Sequence, residues 1–197
     1  MLIYFIRHGE SEGNLHGFHT GWYPVNLTEA GRAQAAATRE MLKDVQFDRL
    51  YVSDVKRAQQ TAEIIFPDMP RTFVTRAREI NTSAIALETR DSMYKKSGEL
   101  YLSCRANADY APLHLDLEGH SHLWTRAGAF LTRLSKQPYE RVAVVAHAEY
   151  IMTAAAWILG SEERLKPLAC RNASVSVFEW TGSAWKILLW GATPQLP

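Results

Sequence analysis

Short apolar runs at residues 2–6 and 142–146 have the length and make-up of strands covered on both faces. Residues 49–53 and 72–75 read as two further strands. Helical spacing lies between these runs. Ala30, Ala33, Ala37 and Met41 recur behind Thr28, whose hydroxyl suits an N-cap, and Ala58, Ala62 and Ile65 recur behind Ser53 or Asp54. A third such series, Leu123, Ala127, Phe130 and Leu134, follows Gly119, and residues 150–159 extend the last apolar run as a helix. Residues 174–180 alternate, Gly182 marks a turn and residues 185–190 follow, which predicts a closing hairpin. Only residues 81–118 lack a clear period.

Strands alternating with helices predict an α/β fold: a three-layer sandwich with a mostly parallel central sheet and helices on both faces. The weakly patterned stretch 81–118 is expected as an inserted cap region within a single domain spanning 1–197, a length that suits one full-sized core.

Composition narrows the function. With 22 Lys+Arg against 21 Asp+Glu the net charge is +1, so broad electrostatic binding to nucleic acid or to an anionic membrane is not expected, and any anion site must be local. Cys104 and Cys170 stand far apart and form no CxxC pair, which suits a reducing compartment. The run 2–6 is too short for a signal peptide. Residues 142–160 contain no Lys or Arg, but His147 and Glu149 interrupt them, and a strand followed by a helix explains them better than a membrane span. A cytoplasmic protein is expected.

The chemically distinctive residues share a position. Arg7 and His8 directly follow the first strand, Arg57 follows the second, Glu79 the third and His147 the fourth. Ligands of open parallel sheets bind beyond the carboxyl ends of the strands, so these side chains are expected along one rim. Arg57 falls in the first turn of a helix, where the macrodipole disfavours a cation by roughly 0.3–1 kcal/mol. An anion between its guanidinium and nearby helix N-termini accounts for it, whereas Lys56 beside it reads as a solvated charge.

These residues sit in motifs. Arg7-His8-Gly9-Glu10-Ser11 with Asn14, Thr20-Gly21-Trp22, and Leu27-Thr28-x-x-Gly31-x-x-Gln34 come first. Ser53-x-x-x-Arg57-Ala58-x-x-Thr61-Ala62, Arg78-Glu79-Ile80, Val144-Val145-Ala146-His147 and Asn172-Ala173-Ser174-Val175 follow. In kind and order they resemble the histidine phosphatase superfamily, which includes cofactor-dependent phosphoglycerate mutases. The resemblance implies a phosphomonoesterase of histidine acid phosphatase type, cleaving a small phosphorylated substrate through a phosphohistidine on His8. Arg7, Arg57 and a protonated His147 would surround the phosphoryl oxygens, with Asn14 as a neutral donor and Thr20, Gly21 and Ala148 beside the substrate. Glu79 would protonate the leaving group, with Glu88 as its nearest competitor. No metal or other cofactor is implied.

The chain departs from the family where Asn81-Thr82-Ser83-Ala84-Ile85 replaces a Gly-x-Trp-Glu-Gly-like stretch, where Ala148 replaces a common glycine, and where Gly119-His120-Ser121 replaces Gly-Glu-Ser. The first and last of these changes touch the substrate side more than the phosphate side. Thr20-Gly21-Trp22 favours a mutase as the second reading, in which Arg90, Lys95, Lys96 and Arg105 bind a substrate carboxylate instead of being solvated charges. Two further readings are a catalytically silent phospho-ligand binder and a metal site at His114, His120 and His122. Asn14 and Thr20 can equally serve only to cap or turn the chain, and Trp22, Tyr94, Tyr101 and Tyr110 to pack rather than line a pocket.

Overall fold

The computed structural model describes residues 1–114, 116–165 and 168–194. Six strands, β1 (Leu2–Arg7), β2 (Arg49–Val52), β3 (Arg71–Phe73), β4 (Arg141–Ala146), β5 (Val175–Trp180) and β6 (Trp185–Ala192), form one sheet in the order β3-β2-β4-β1-β5-β6. The three pairings among β3, β2, β4 and β1 are parallel, and β5 and β6 add antiparallel strands at one edge. Helices α1 (Glu12–His16), α2 (Glu29–Leu42), α3 (Lys56–Ile65), α4 (Arg90–Asn107), α5 (His120–Leu134) and α6 (Ala148–Ile158) complete the regular structure.

The period of two along the strands builds the layers. Ile3, Phe5, Val142, Val144, Ala146 and Phe178 point into one core, which α4, α5 and α6 cover; Ile6, Leu50, Val52, Ala143, Val145 and Val177 point into the other, under α2 and α3. Each large apolar side chain so enclosed contributes about 1.5–3 kcal/mol relative to exposure, so the two buried strands β1 and β4 anchor the sheet. The hairpin closes at Gly182 (φ 100°), where Thr181 accepts from and donates to Ala184 across the turn.

Two local expectations are corrected. The stripe of α2 on the core is Gly31, Ala35, Thr38 and Leu42, while Ala30, Ala33 and Met41 are exposed. The periodicity was right and the phase was off by one residue, because Gly31 packs on the Glu10 backbone and Thr38 donates to the Ala173 carbonyl. Nor does Ser53 or Asp54 cap α3. Its N-cap is Val55 with no side-chain cap bond; the Ser53 hydroxyl meets His147, and Asp54 is ion-paired with Arg78.

Residues 81–118 hold more order than their pattern implied. They contain a 3-10 turn, Ser83–Ile85, and the eighteen residues of α4, broken at Gly98 (φ 50°, ψ −130°). Met93, Tyr101, Cys104, Tyr110 and Leu117 from this stretch are buried in the core beneath α5 and α6. Among the described residues no helix is long and apolar enough to cross a membrane.

Candidate active site

Parallel register gathers the site. Ile6 pairs with Val145 and Val145 with Val52, so the next residues, Arg7 and His8, Ala146 and His147, and Ser53, leave the sheet side by side. The ladder continues one step past the strands: His8 N–H donates to Ala146 and Ser53 N–H to Val145. Several motif residues then pin the loop after β1. Gly9 N–H donates to Thr61 Oγ1 (3.1 Å), Glu10 N–H to Gln34 Oε1 (2.9 Å), and the Thr28 hydroxyl to the Glu10 carboxylate (2.7 Å). Gly31 is required because a Cβ there would lie 2.0 Å from the Glu10 carbonyl oxygen. Ala173, in the left-handed region at φ 54°, and Asn172 both donate to the His8 carbonyl.

The His8 ring is buried, and its two nitrogens have separate partners. Nδ1 lies 2.7 Å from the Gly9 carbonyl, which can only accept, so Nδ1 carries the proton. Arg57 Nε donates to Nε2 at 3.1 Å, which requires a lone pair there. Burial, then the guanidiniums of Arg57 and Arg7, hold the imidazole well below the usual histidine range. The ring is therefore neutral, with Nε2 unprotonated.

His147 is fully buried, its ring centroid 5.1 Å from that of His8. Nε2 lies 2.8 Å from Ser53 Oγ, and Nδ1 is buried without a partner. The expected protonated His147 is not the state of the ligand-free site: burial, followed by Arg57, His8, Arg126 and Arg7, drives its pKa well below the usual value. A charge on it must be brought in by an anion.

Two guanidiniums complete the group. Arg7 Nη1 donates to the Cys170 carbonyl (2.6 Å), and Arg57 Nη2 donates to the Gly21 carbonyl (2.9 Å). Burial lowers Arg57 to about 10, so it stays charged at neutral pH. Arg7 Nε and Arg57 Nη1 are buried and have no partner. With His147 Nδ1 this makes three unsatisfied buried polar groups within one cluster, each costing about 1–3 kcal/mol if nothing binds them.

Arg7, His8 and Arg57 line a cavity of about 180 Å³, with Asn14, Thr20, Gly21, Glu79 and Ala148 also on its wall. His147 is not a lining residue. Asn14 Oδ1 accepts from Ser11 and Asn172, so the capping role and a place at the cavity coexist. Gly21 adopts φ 48° against the Thr82 backbone, where a Cβ would sit 2.5 Å from the Thr82 nitrogen. Ala148 opens α6, so the positive end of that helix borders the cavity.

Glu79 is partly buried. Its Oε1 accepts from Ile80 N–H (2.9 Å), and burial, then the Glu149 carboxylate, push its pKa up against the opposing pull of Arg57 and Arg7. Sequence reasoning missed what fixes its backbone. Arg126 donates to the carbonyls of Arg76, Arg78 and Glu79 and is paired with the buried Glu118 (2.8 Å); Trp22 Nε1 donates to the Glu79 carbonyl (2.7 Å). Glu149, beside Glu79 on the cavity wall, is bound through both oxygens by Arg164.

Other candidates fall elsewhere. Glu88 is occupied by Ser92 and Lys96 and does not line the cavity. Lys56 is exposed. Tyr110 lines the cavity, whereas Tyr101 is buried and Tyr94 exposed. His114, His120 and His122 do not converge: His122 binds Glu118, His114 is near Asp116, and no cluster able to hold a metal occurs among the described residues.

A neutral imidazole among buried guanidiniums thus stands at the carboxyl ends of parallel strands, where open α/β sheets bind their ligands. The chain belongs to the histidine phosphatase superfamily (branch 1), whose family model matches residues 3–193. It is 28% identical over 163 residues to the adenosylcobalamin/alpha-ribazole phosphatase of Escherichia coli K12, covering 81% of this chain and 80% of that one. It is 29% identical to phosphoglycerate mutase-like protein 4 of Arabidopsis thaliana, covering 98% and 86%. The structure of a putative alpha-ribazole-5'-P phosphatase from Escherichia coli shares the fold with a TM-score of 0.88 over the whole of both chains, at 23% identity.

Proposed function

We propose that the chain is a phosphomonoesterase in which His8 is the nucleophile. The observation that carries this reading is the trio of unpartnered buried groups, Arg7 Nε, Arg57 Nη1 and His147 Nδ1, around an imidazole whose Nε2 keeps its lone pair. A phosphoryl group supplies acceptors for such donors, and Asn14 adds a neutral one. Phosphoryl transfer asks the protein chiefly for positioning and charge stabilisation. In the first step His8 Nε2 forms a bond to phosphorus, the ester P–O bond breaks, and Glu79 gives its proton to the leaving oxygen. In the second, water forms a new P–O bond and returns a proton to Glu79, and the P–N electrons go back to Nε2. The raised pKa of Glu79 supports its role as that acid, and favours an acid-phosphatase-type profile. As the dianion arrives, its charge favours protonation of His147.

The substrate is a small phosphorylated compound. Thr20, Gly21 and Ala148 shape the wall near the phosphate, and residues 81–118 act as a cap inserted in a single domain spanning 1–197, an arrangement supported by Thr82 and Tyr110 on the cavity wall. The two cysteines, both free and buried, suit a cytoplasmic setting. Phosphate release from p-nitrophenyl phosphate tests the reading: His8→Ala is expected to lower it at least about a thousandfold, and wild-type protein that releases no phosphate from any ester refutes it. A mutase is the second reading, favoured by the Thr20-Gly21-Trp22 motif, of which Thr20 and Gly21 line the cavity; formation of 2-phosphoglycerate in excess of phosphate release would establish it.

A further inference from the structure

A second cavity lies along the β3 edge of the sheet. It holds about 650 Å³, against about 180 Å³ around His8, and the two share no lining residue. The pattern of β2 accounts for its floor. Leu50 and Val52 turn into one core, so Arg49 and Tyr51 stand on the opposite face. Thr72 pairs with Tyr51 on the edge strand and is too small to fill the space beside it. Tyr51 meets the buried Phe130 of α5 edge-on, with ring centroids 5.6 Å apart, and the partly buried Tyr139 completes an aromatic wall.

Three arginines, Arg49, Arg76 and Arg133, line the same cavity, and no Asp or Glu does. None of the three is ion-paired among the described residues. Two of them converge on one ring. Burial and Tyr139 raise the Tyr51 phenol, Arg49 and Arg133 pull against that rise, and the Arg49 guanidinium lies 6.0 Å from the ring centroid. Arg133, in the last turn of α5, is accounted for by the helix dipole alone. Arg49 and Arg76 have no such partner. Uncompensated like charges around an apolar floor create a local potential that favours an anion. A planar guanidinium suits both halves of such a ligand, since it grips phosphate oxygens and stacks on aromatic faces.

Other occupants fit this cavity less well. A second copy docked about a twofold axis would set an acid-free patch against itself. The edge strand, only three residues long, is of the short kind that resists an added peptide strand. A concave site of this size, by contrast, suits a small ligand. We infer that the cavity binds a nucleoside diphosphate or a compound of that chemistry, its flat ring against Tyr51 and its phosphates on Arg49, Arg76 and Arg133. This site stands independently of the phosphatase reading.

Isothermal titration tests it with ADP, GDP, CDP and UDP in turn, while saturating tungstate fills the His8 cavity. The matching nucleoside and pyrophosphate serve as half-ligands. At least one nucleotide is expected to bind once per chain, about tenfold or more tighter than either half. R49Q/R133Q should weaken that binding by about 10- to 100-fold, and R49K/R133K, which keeps the charge but loses the fork, by less. All three arginines are exposed, so the unfolding midpoint should not move; if a double variant fails to fold, R76Q gives the same reading at smaller amplitude. No saturable binding of any of the four nucleotides, or binding that survives R49Q/R133Q, overturns the site. A dimer in sedimentation that the double substitution disperses also overturns it, in favour of a second copy on this face.

Discussion

His8 and His147 are both neutral because both are buried among guanidiniums, yet their partners give them different uses. Gly9 and Arg57 fix the tautomer of His8, whose Nε2 lone pair accepts from Arg57 in the ligand-free site and has to leave that bond to attack phosphorus in the proposed reaction. Ser53, by contrast, takes one nitrogen of His147 and leaves the other unbonded. Glu79, with its raised pKa, is the group that should matter most when the leaving oxygen is basic. Glu79→Gln is therefore expected to slow ethyl phosphate by about 10²–10⁴-fold and p-nitrophenyl phosphate, a far better leaving group, much less. Equal losses on both esters would show that Glu79 is not the acid. The pH profile follows: activity falls with rising pH as Glu79 loses its proton, and falls at low pH only once His8, held well below its usual value, gains one. At this scale the sequence was informative where a residue belongs to a contiguous motif, as with His8 and Arg57. It was silent on Arg126 and Glu118, whose importance lies in backbone carbonyls 47 or more positions away for Arg126, and in a buried ion pair that no local pattern encodes.

Among the elements, α5 is tied to the site through that pair. Arg126 and Glu118 are nearly buried, with side-chain exposures of 10% and 4%, and removing one partner strands the other. Arg126→Met is expected to destabilise the fold by about 3–5 kcal/mol in urea unfolding, with a larger loss of turnover on ethyl than on p-nitrophenyl phosphate, because it frees the Glu79 backbone. An unchanged unfolding midpoint would remove the clamp from the argument. Gly31→Ala in α2 should likewise cost about 1–3 kcal/mol, since the new methyl would meet the Glu10 carbonyl. Helix and strand order was readable from periodicity, down to the buried stripes of α3 and α5. The phase of α2 was not, because glycine and threonine occupy its inner face. Nor was α4, in which only Met93, Tyr101 and Cys104 of eighteen residues are buried and a break at Gly98 interrupts the helix.

For the whole molecule, the sheet supplies the alignment and the site strains the fold. Parallel register makes Arg7, His8, Ser53 and His147 neighbours although they come from three separate strands. The gathering of Arg7, His8 and His147 is legible from their positions after apolar runs, whereas Ser53 reads in the sequence only as a strand end or helix cap. The consequence is a pH-dependent stability. His8, His147, His19 and His120 all have folded values below the ordinary histidine value. As pH falls below about 6.5, the unfolded chain binds protons that the folded chain refuses, so stability present above that pH is lost. Glu79, raised instead, gives the opposite slope as one group against four. The thermal midpoint of the ligand-free protein should thus drop between about pH 7 and pH 5, and orthovanadate should raise it; a flat midpoint would argue against buried neutral rings. The most direct measurement is mass spectrometry of the peptide bearing His8 after a rapid quench at alkaline pH during turnover. A phosphoryl group on His8 that forms and decays as fast as phosphate is released is the expected result; full phosphate release with no adduct, or undiminished release by His8→Ala, would contradict it.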